Sequence, residues 1–165
     1  MRIYLIGFMG SGKSSVGKLL ADRLGYRFID TDLEIEKDTG LKIRDIFKIY
    51  GEDYFRDLEK KKIKELSSLD NVVIATGGGL PANKENLKVM KDTGKVVWLN
   101  IDFNTFLDRV SGDENRPLLK EDIDKLKIRF EDRKKFYSQA NIKVSNDNSV
   151  SIEEVVERII KELKE

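Results

Sequence analysis

Gly7 to Ser14 reads GFMGSGKS, which matches the spacing G-x-x-x-x-G-K-[ST]. Glycines so placed let successive backbone N–H groups curl around phosphate oxygens, and a helix starting there adds the positive end of its dipole. Lys13 would then reach the β- and γ-phosphates of a nucleotide, while the Ser14 hydroxyl would ligate Mg²⁺. An apolar run, RIYLIGF, precedes the motif, and an amphipathic stretch, KSSVGKLLADRL, follows it. The plain alternative is a glycine-rich turn with no ligand, and this context disfavours it. The segment reads as a nucleotide phosphate site.

Three further constellations bear on what accepts the phosphoryl group. Asp30-Thr31-Asp32 closes the apolar run YRFI, so two carboxylates fall where open α/β sheets bind ligands. One could hold Mg²⁺ through its water shell, and the other could orient or deprotonate an acceptor hydroxyl. The competing reading is a helix cap for a helix beginning near Leu33. Gly77-Gly78-Gly79 ends the run VVIAT; three glycines cost much backbone entropy, and a ligand lying against main-chain amides would justify them better than a tight turn. Arg56, Arg109, Arg116 and Arg133 also stand out. Any single arginine is more often a solvated or ion-paired surface group. Two of them over one crevice, Arg56 and Arg133, would suit a carboxylate through bidentate pairing.

Composition narrows the chemistry. The chain has 165 residues, room for one domain with a subdomain, and contains neither Cys nor His. Disulfides, thiolate chemistry, structural zinc and any His-based triad are excluded, so acid–base work falls to Asp, Glu, Lys or Tyr. Thirty-one Lys and Arg balance 30 Asp and Glu, which leaves no excess of either sign for a nucleic acid or a membrane surface. The apolar start, MRIYLIGFMG, is too short for a signal h-region or a membrane span, so a cytoplasmic protein is expected. The Lys- and Glu-rich composition with one Gln leans towards heat adaptation. A GTPase is disfavoured, because the nearest approach to a guanine-reading N-K-x-D is Asn83-Lys84-Glu85-Asn86.

The elements that must position these residues follow from periodicity. Arg2–Phe8, Arg27–Asp30, Val72–Ala75, Lys95–Ile101 and Asn141–Val144 read as strands, and runs such as VVIA and VVWL suggest burial on both faces of a parallel sheet. Helical patterns cover Lys13–Leu24, Ile43–Leu69 with a break near Gly51, Lys84–Asp92, Thr105–Val110, Asp122–Gln139 and Ile152–Leu163. The alternation predicts an α/β layer fold with right-handed crossovers. Residues 33–69, inserted between the second and third strands, read as a substrate-binding subdomain. The polar stretch at 111–122 reads as a lid.

GFMGSGKSSVGKLLA, FIDTD, IFKIYGEDYFRDLE, VVIATGGGL, ENRPLL and the R-x-x-x-Y of Arg133 to Tyr137 occur in the order and spacing of shikimate kinases, and the chain resembles that family over nearly its whole length. The resemblance implies a three-layer α/β/α P-loop kinase fold with a five-stranded parallel sheet in order 2-3-1-4-5. It implies transfer of the ATP γ-phosphoryl group to the 3-hydroxyl of shikimate, with Mg²⁺ as cofactor, in a protein expected to act as a monomer. By position, Asp32 corresponds to the residue that binds the shikimate hydroxyls and is proposed as base, and Asp30, with Ser14, to the metal side. Gly10, Ser11, Gly12, Lys13, Ser14 and Ser15 would contact the nucleotide, Arg109 would lie against adenine, and the lid residue Arg116 would reach the transferring phosphate. Arg56 and Arg133 would clamp the shikimate carboxylate, with Glu59 orienting Arg56. Gly77, Gly78 and Gly79 would present backbone to the substrate, and Phe47 and Phe55 would flank its ring, although residue type alone would place both in the core. Two departures stand out. The loop at Asn146 to Asn148 lacks the basic residue that many members carry, and Asn141 replaces a frequent Asp. Two rivals remain at this point: a kinase for gluconate or a nucleoside monophosphate, and a nucleotide-binding regulator without catalysis.

Overall fold

Tyr4 and Ile6 of the first strand, β1 (Arg2–Ile6), pack into one core, while Ile3 and Leu5 pack into another, and all four are fully buried. This computed structural model describes residues 1–111 and 120–165. The same division runs through β3 (Val72–Ala75) and β4 (Lys95–Asn100), where Val72, Ile74, Val96 and Trp98 face one layer and Val73, Val97 and Leu99 the other. Near-continuous apolar runs are what a parallel sheet covered on both sides requires. With β2 (Arg27–Asp30) and β5 (Ile142–Ser145) the sheet has the order β2-β3-β1-β4-β5, all parallel, as expected.

Helices α1 (Lys13–Leu24) and α8 (Ile152–Lys164) cover the Ile3 face through Val16, Leu20, Val155, Val156 and Ile159. The opposite face is covered by α4 (Glu52–Leu66), α5 (Lys84–Thr93), α6 (Phe103–Ser111) and α7 (Lys120–Tyr137). Between β2 and β3 stand α2 (Thr31–Thr39), α3 (Ile43–Tyr50) and α4, and the break at Gly51 falls where expected. Ile35, Ile46 and Phe55 form a small core of their own there, separate from the sheet. Burying three such side chains contributes roughly 5–8 kcal/mol, enough to hold short helices in place.

The differences from expectation have local causes. β1 stops at Ile6 because Gly7 (φ 153°) already turns into the phosphate loop. α2 starts at Thr31, ahead of Leu33, because Asp30 accepts from the amides of Asp32 and Leu33. α6 starts at Phe103 because Asp102 accepts from the Thr105 amide at 2.7 Å. Asn141, in place of the frequent Asp, accepts from the Val96 amide at 2.9 Å and so tethers β5 to β4 without a charge. Asn83, read against a guanine motif, caps α5 through the amides of Glu85 and Asn86. No helix among the described residues is long and apolar enough to cross a membrane. Most of the lid expected over 111–122, including Arg116, lies outside the described residues.

Candidate active site

The C-terminal ends of β1, β2 and β3 bring three loops together. The phosphate loop joins β1 to α1, and Gly12, in left-handed backbone at φ 89°, caps the helix. A side-chain-bearing residue would be strained there, which explains the glycine physically. The Lys13 ammonium folds back across the loop and donates to the carbonyls of Gly7 (2.6 Å) and Phe8 (3.2 Å). Burial lowers its pKa to about 8, against the opposing pull of Asp32 and Asp30, and Arg133 adds to the lowering. Ser14 and Ser15 are exposed at the start of α1. The Ser11 hydroxyl is buried and has no hydrogen-bond partner.

Asp30 does two jobs at once, so the cap and ligand readings of the Asp-Thr-Asp segment are compatible. Its Oδ1 caps α2, and its Oδ2 accepts from the Ser14 hydroxyl at 3.2 Å. That pairing sets one hydroxyl and one carboxylate oxygen side by side at the mouth of the phosphate loop. Among the described residues no cluster of three or more acidic groups could hold a metal by itself. A hydroxyl–carboxylate pair with room for phosphate oxygens and water is the donor set that suits Mg²⁺, which keeps much of its hydration. Two residues further along the turn, Asp32 has a buried Oδ1 with no partner. Burial raises the Asp32 pKa, and Asp30 reinforces the shift while Lys13 opposes it. An acceptor oxygen held in this state is ready for a donor from outside the protein.

The triple glycine is explained by crowding. A Cβ on Gly77 would lie 2.9 Å from Asp32 Oδ1 and 3.2 Å from Glu59 Oε2. One on Gly78 would lie 3.2 Å from Arg133 Nη1, and one on Gly79 2.6 Å from Arg56 Nη1. The glycines therefore let four charged side chains approach the main chain around one point. The Gly77 amide donates to Thr31 Oγ1 at 3.1 Å, which ties the segment to α2.

Arg56 and Arg133 do converge, as expected. Together with Glu52, Gly79, Ala82, Asn83 and Asn86 they line an open cavity of about 300 Å³. Arg56 donates to Glu59 at 2.6 Å and to Glu52 at 3.4 Å, and its guanidinium lies 5.4 Å from the Phe55 ring centre and 6.0 Å from that of Phe47. Phe47 and Phe55 thus belong to the small helical core while also backing Arg56. Glu59 is 1 % exposed, and one of its oxygens has no partner. Burial raises its pKa to about 7, opposed by the bond and charge of Arg56. Arg133 lies over Phe8, 5.6 Å from the ring centre.

Arg109 donates to Gly10 O at 2.5 Å and to Asn146 O at 2.7 Å, pinning the edge of its guanidinium between the phosphate loop and the loop after β5. Several contributors escaped the sequence reading. Tyr137, one helical turn beyond Arg133, donates to Gly78 O at 2.6 Å, and the i, i+4 spacing within R-x-x-x-Y was its only signal. Thr31, between the two aspartates, and Glu52, beside Arg56, had no signal beyond proximity.

A sequence model of the shikimate kinase family matches residues 9–164. The chain is 54% identical to a shikimate kinase of Persephonella marina over 145 residues, 88% of each chain. It superposes on the crystal structure of shikimate kinase from Aquifex aeolicus with a TM-score of 0.90 at 51% identity, covering 99% of this chain and 96% of that one. Shikimate kinase from Acinetobacter baumannii, solved in complex with shikimate, gives a TM-score of 0.89 at 36% identity, over 99% and 92% of the two chains.

Proposed function

The chain belongs to the shikimate kinase family, and on that premise we propose that it transfers the γ-phosphoryl group of ATP to the 3-hydroxyl of shikimate, giving 3-phosphoshikimate and ADP. The observation that carries the acceptor assignment is the triple glycine, against which the unpartnered Asp32 oxygen (at Gly77), Arg133 (at Gly78) and Arg56 (at Gly79) converge, the two arginines also lining one open cavity. Two guanidinium groups suit a carboxylate, and the carboxylate of Asp32 suits a ring hydroxyl.

In this reading Lys13 holds the β- and γ-phosphates, and the amides of Gly10, Gly12, Ser14 and Ser15 surround them; the Ser11 amide, expected among them, is instead taken up by Phe8 O and holds the turn of the loop. Ser14 and Asp30 would hold Mg²⁺, which when bound would supply positive charge to neutralise the phosphate oxygens. Asp32 aligns the acceptor hydroxyl and takes its proton as the bond to phosphorus forms. Arg56 and Arg133 clamp the carboxylate, Glu59 orients Arg56, Gly77 to Gly79 keep the floor of the site open, and Phe47 and Phe55 back the ring. Arg109, with its edge pinned, offers its face to adenine. Arg116, which lies outside the described residues, would add charge to the transferring group, and a lid over 111–122 would exclude water. The protein is read as acting as a monomer, and its use of ATP supports a cytoplasmic location.

The test is ADP release from Mg-ATP by purified protein with and without shikimate. A large shikimate-dependent rate is expected; equal rates would remove the acceptor assignment, and gluconate and nucleoside monophosphates would be tried next. Arg133→Ala is expected to raise the shikimate KM by roughly thirty- to a hundredfold, the worth of a charge-assisted pair, while kcat falls less than fivefold. An unchanged KM would mean that the clamp lies elsewhere.

Glu59 gives a pH prediction with a definite sign. It titrates near pH 7, facing Arg56, Asp32 and Arg133. An incoming carboxylate raises the Glu59 pKa further by repulsion, so binding takes up a proton and strengthens as pH falls through about 7. Calorimetry of shikimate binding in buffers of different ionisation enthalpy should show that uptake, and Glu59→Gln should abolish it. Proton release on binding, or affinity that weakens between pH 8 and 6.5, would refute this.

A further inference from the structure

Asn146 joins three parts of the nucleotide site and is only 9% exposed. Its backbone amide donates to Asn100 O at the end of β4 (2.9 Å), and its carbonyl accepts from Arg109 (2.7 Å). Its side-chain Nδ2 donates to the carbonyl of Ser11 at 2.6 Å, in a buried hydrogen bond. The fit is close, since a Cβ on Gly12 would lie 2.5 Å from that same nitrogen.

The consequence lies in the Ser11–Gly12 peptide. No peptide bond among the described residues is cis, and in a planar trans peptide the carbonyl and the following N–H point in opposite directions. Holding the Ser11 carbonyl towards Asn146 therefore turns the Gly12 N–H to the opposite side of the peptide, away from the loop after β5. Gly12, at φ 89°, has the freedom to let this peptide flip if nothing held it. The preceding peptide is fixed in a similar way, with the Gly10 carbonyl on Arg109 and the Ser11 amide on Phe8 O at 3.1 Å.

We propose that Asn146 is a positioning residue of the nucleotide site, which holds the Ser11–Gly12 peptide so that the Gly12 N–H is presented to the nucleotide phosphates. The proposal rests on the kinase reading of the phosphate loop. Asn146 acts through Gly12 and needs no contact with the nucleotide. A loop that must reorient this peptide on binding loses affinity by the fraction of molecules in which it is already turned.

The experiment is calorimetric titration with ADP, without metal, of the parent protein, Asn146→Asp and Asn146→Ala, from pH 7.5 down to pH 5. Asn146→Asp preserves shape but sets a carboxylate against the Ser11 carbonyl, and its donor returns when that carboxyl is protonated. At pH 7.5 both variants are expected to bind ADP roughly thirtyfold more weakly than the parent. Burial against the Ser11 carbonyl raises the pKa of the new carboxyl above its ordinary range, so relative to the parent at each pH Asn146→Asp should recover to within about fivefold by pH 5, whereas Asn146→Ala should not. The affinity for shikimate alone should stay within twofold throughout. A merely structural role would give a lower melting temperature with no pH-dependent recovery of ADP binding. Variants that bind ADP within twofold of the parent at pH 7.5, or an Asn146→Asp loss that does not recover, would overturn the proposal. Should Asn146→Asp fail to fold, Asn146→Ala against the parent still decides it by ADP affinity set beside shikimate affinity. A parent that binds no ADP would overturn the nucleotide site itself, whereas a binding parent with indifferent variants overturns only the role of Asn146.

Discussion

Lys13→Ala is expected to lower kcat/KM by on the order of ten-thousandfold, about 5.5 kcal/mol of transition-state stabilisation at 1.36 kcal/mol per decade. The ammonium is the one cation that the phosphate loop itself supplies, and it sits at the loop carbonyls with no other lysine or arginine of that loop to replace it. In a site closed to water, charge developing on the phosphoryl oxygens depends strongly on such a fixed partner. Single-turnover measurement with saturating ATP separates lost chemistry from lost binding, and a fall of less than a hundredfold in the single-turnover rate would show that Lys13 is not the principal charge. The pKa of about 8 gives the parent protein a second signature. Below that pH the ammonium is already present. Above it, ADP binding must draw a proton onto Lys13, so affinity should fall as pH rises through 8 and proton uptake should appear in calorimetry.

Asp32→Asn should cost roughly a thousandfold in kcat, with structure and melting temperature nearly unchanged. The substitution keeps the shape but removes the charge of the oxygen that stands buried and unpartnered beside Gly77. General-base and aligning contributions together are typically worth two to four decades. Burial and Asp30 raise the pKa of this carboxyl, which moves it towards the range in which proton transfer is efficient at neutral pH. The comparison to make is kcat for shikimate phosphorylation by the two proteins across the pH range in which the parent is active. A loss below tenfold would leave Asp32 as a hydroxyl ligand with no part in the transfer.

Much of the site is legible in the residues because the chemistry leaves local marks. GFMGSGKS between a strand and a helix has few uses, and the clustered glycines at 77–79 are too costly for a simple turn. The clamp needed more than a local mark. Arg56 and Arg133 lie far apart in sequence, and only the six motifs in order, or the fold itself, put them on one cavity. Three details lie beyond such marks. Asn146 looks like an ordinary loop asparagine until β4, α6 and the phosphate loop are placed around it. Tyr137 enters the sequence only as the end of R-x-x-x-Y, and its hydroxyl bond to Gly78 is a consequence of helix register against the third loop. The triple glycine was read as a place for ligand against backbone, yet its immediate neighbours are the charged side chains of the site. Pattern reveals what a segment does with its own atoms; it is weak where the partner arrives from another element.

The strand order also governs how the chain is assembled during synthesis. β1 is made first but lies in the middle of the sheet, with Arg2 paired to Val72 on one side and Ile3 to Lys95 on the other. Its apolar segment, RIYLI, has no strand to pair with until β3 has left the ribosome, and it stays open on its second edge until β4 follows. At ordinary elongation rates of about 5–20 residues per second, that interval lasts roughly five to twenty seconds. A nascent chain truncated before Val72 therefore carries an unpaired apolar strand, the kind of segment that chaperones bind and that aggregates when left alone.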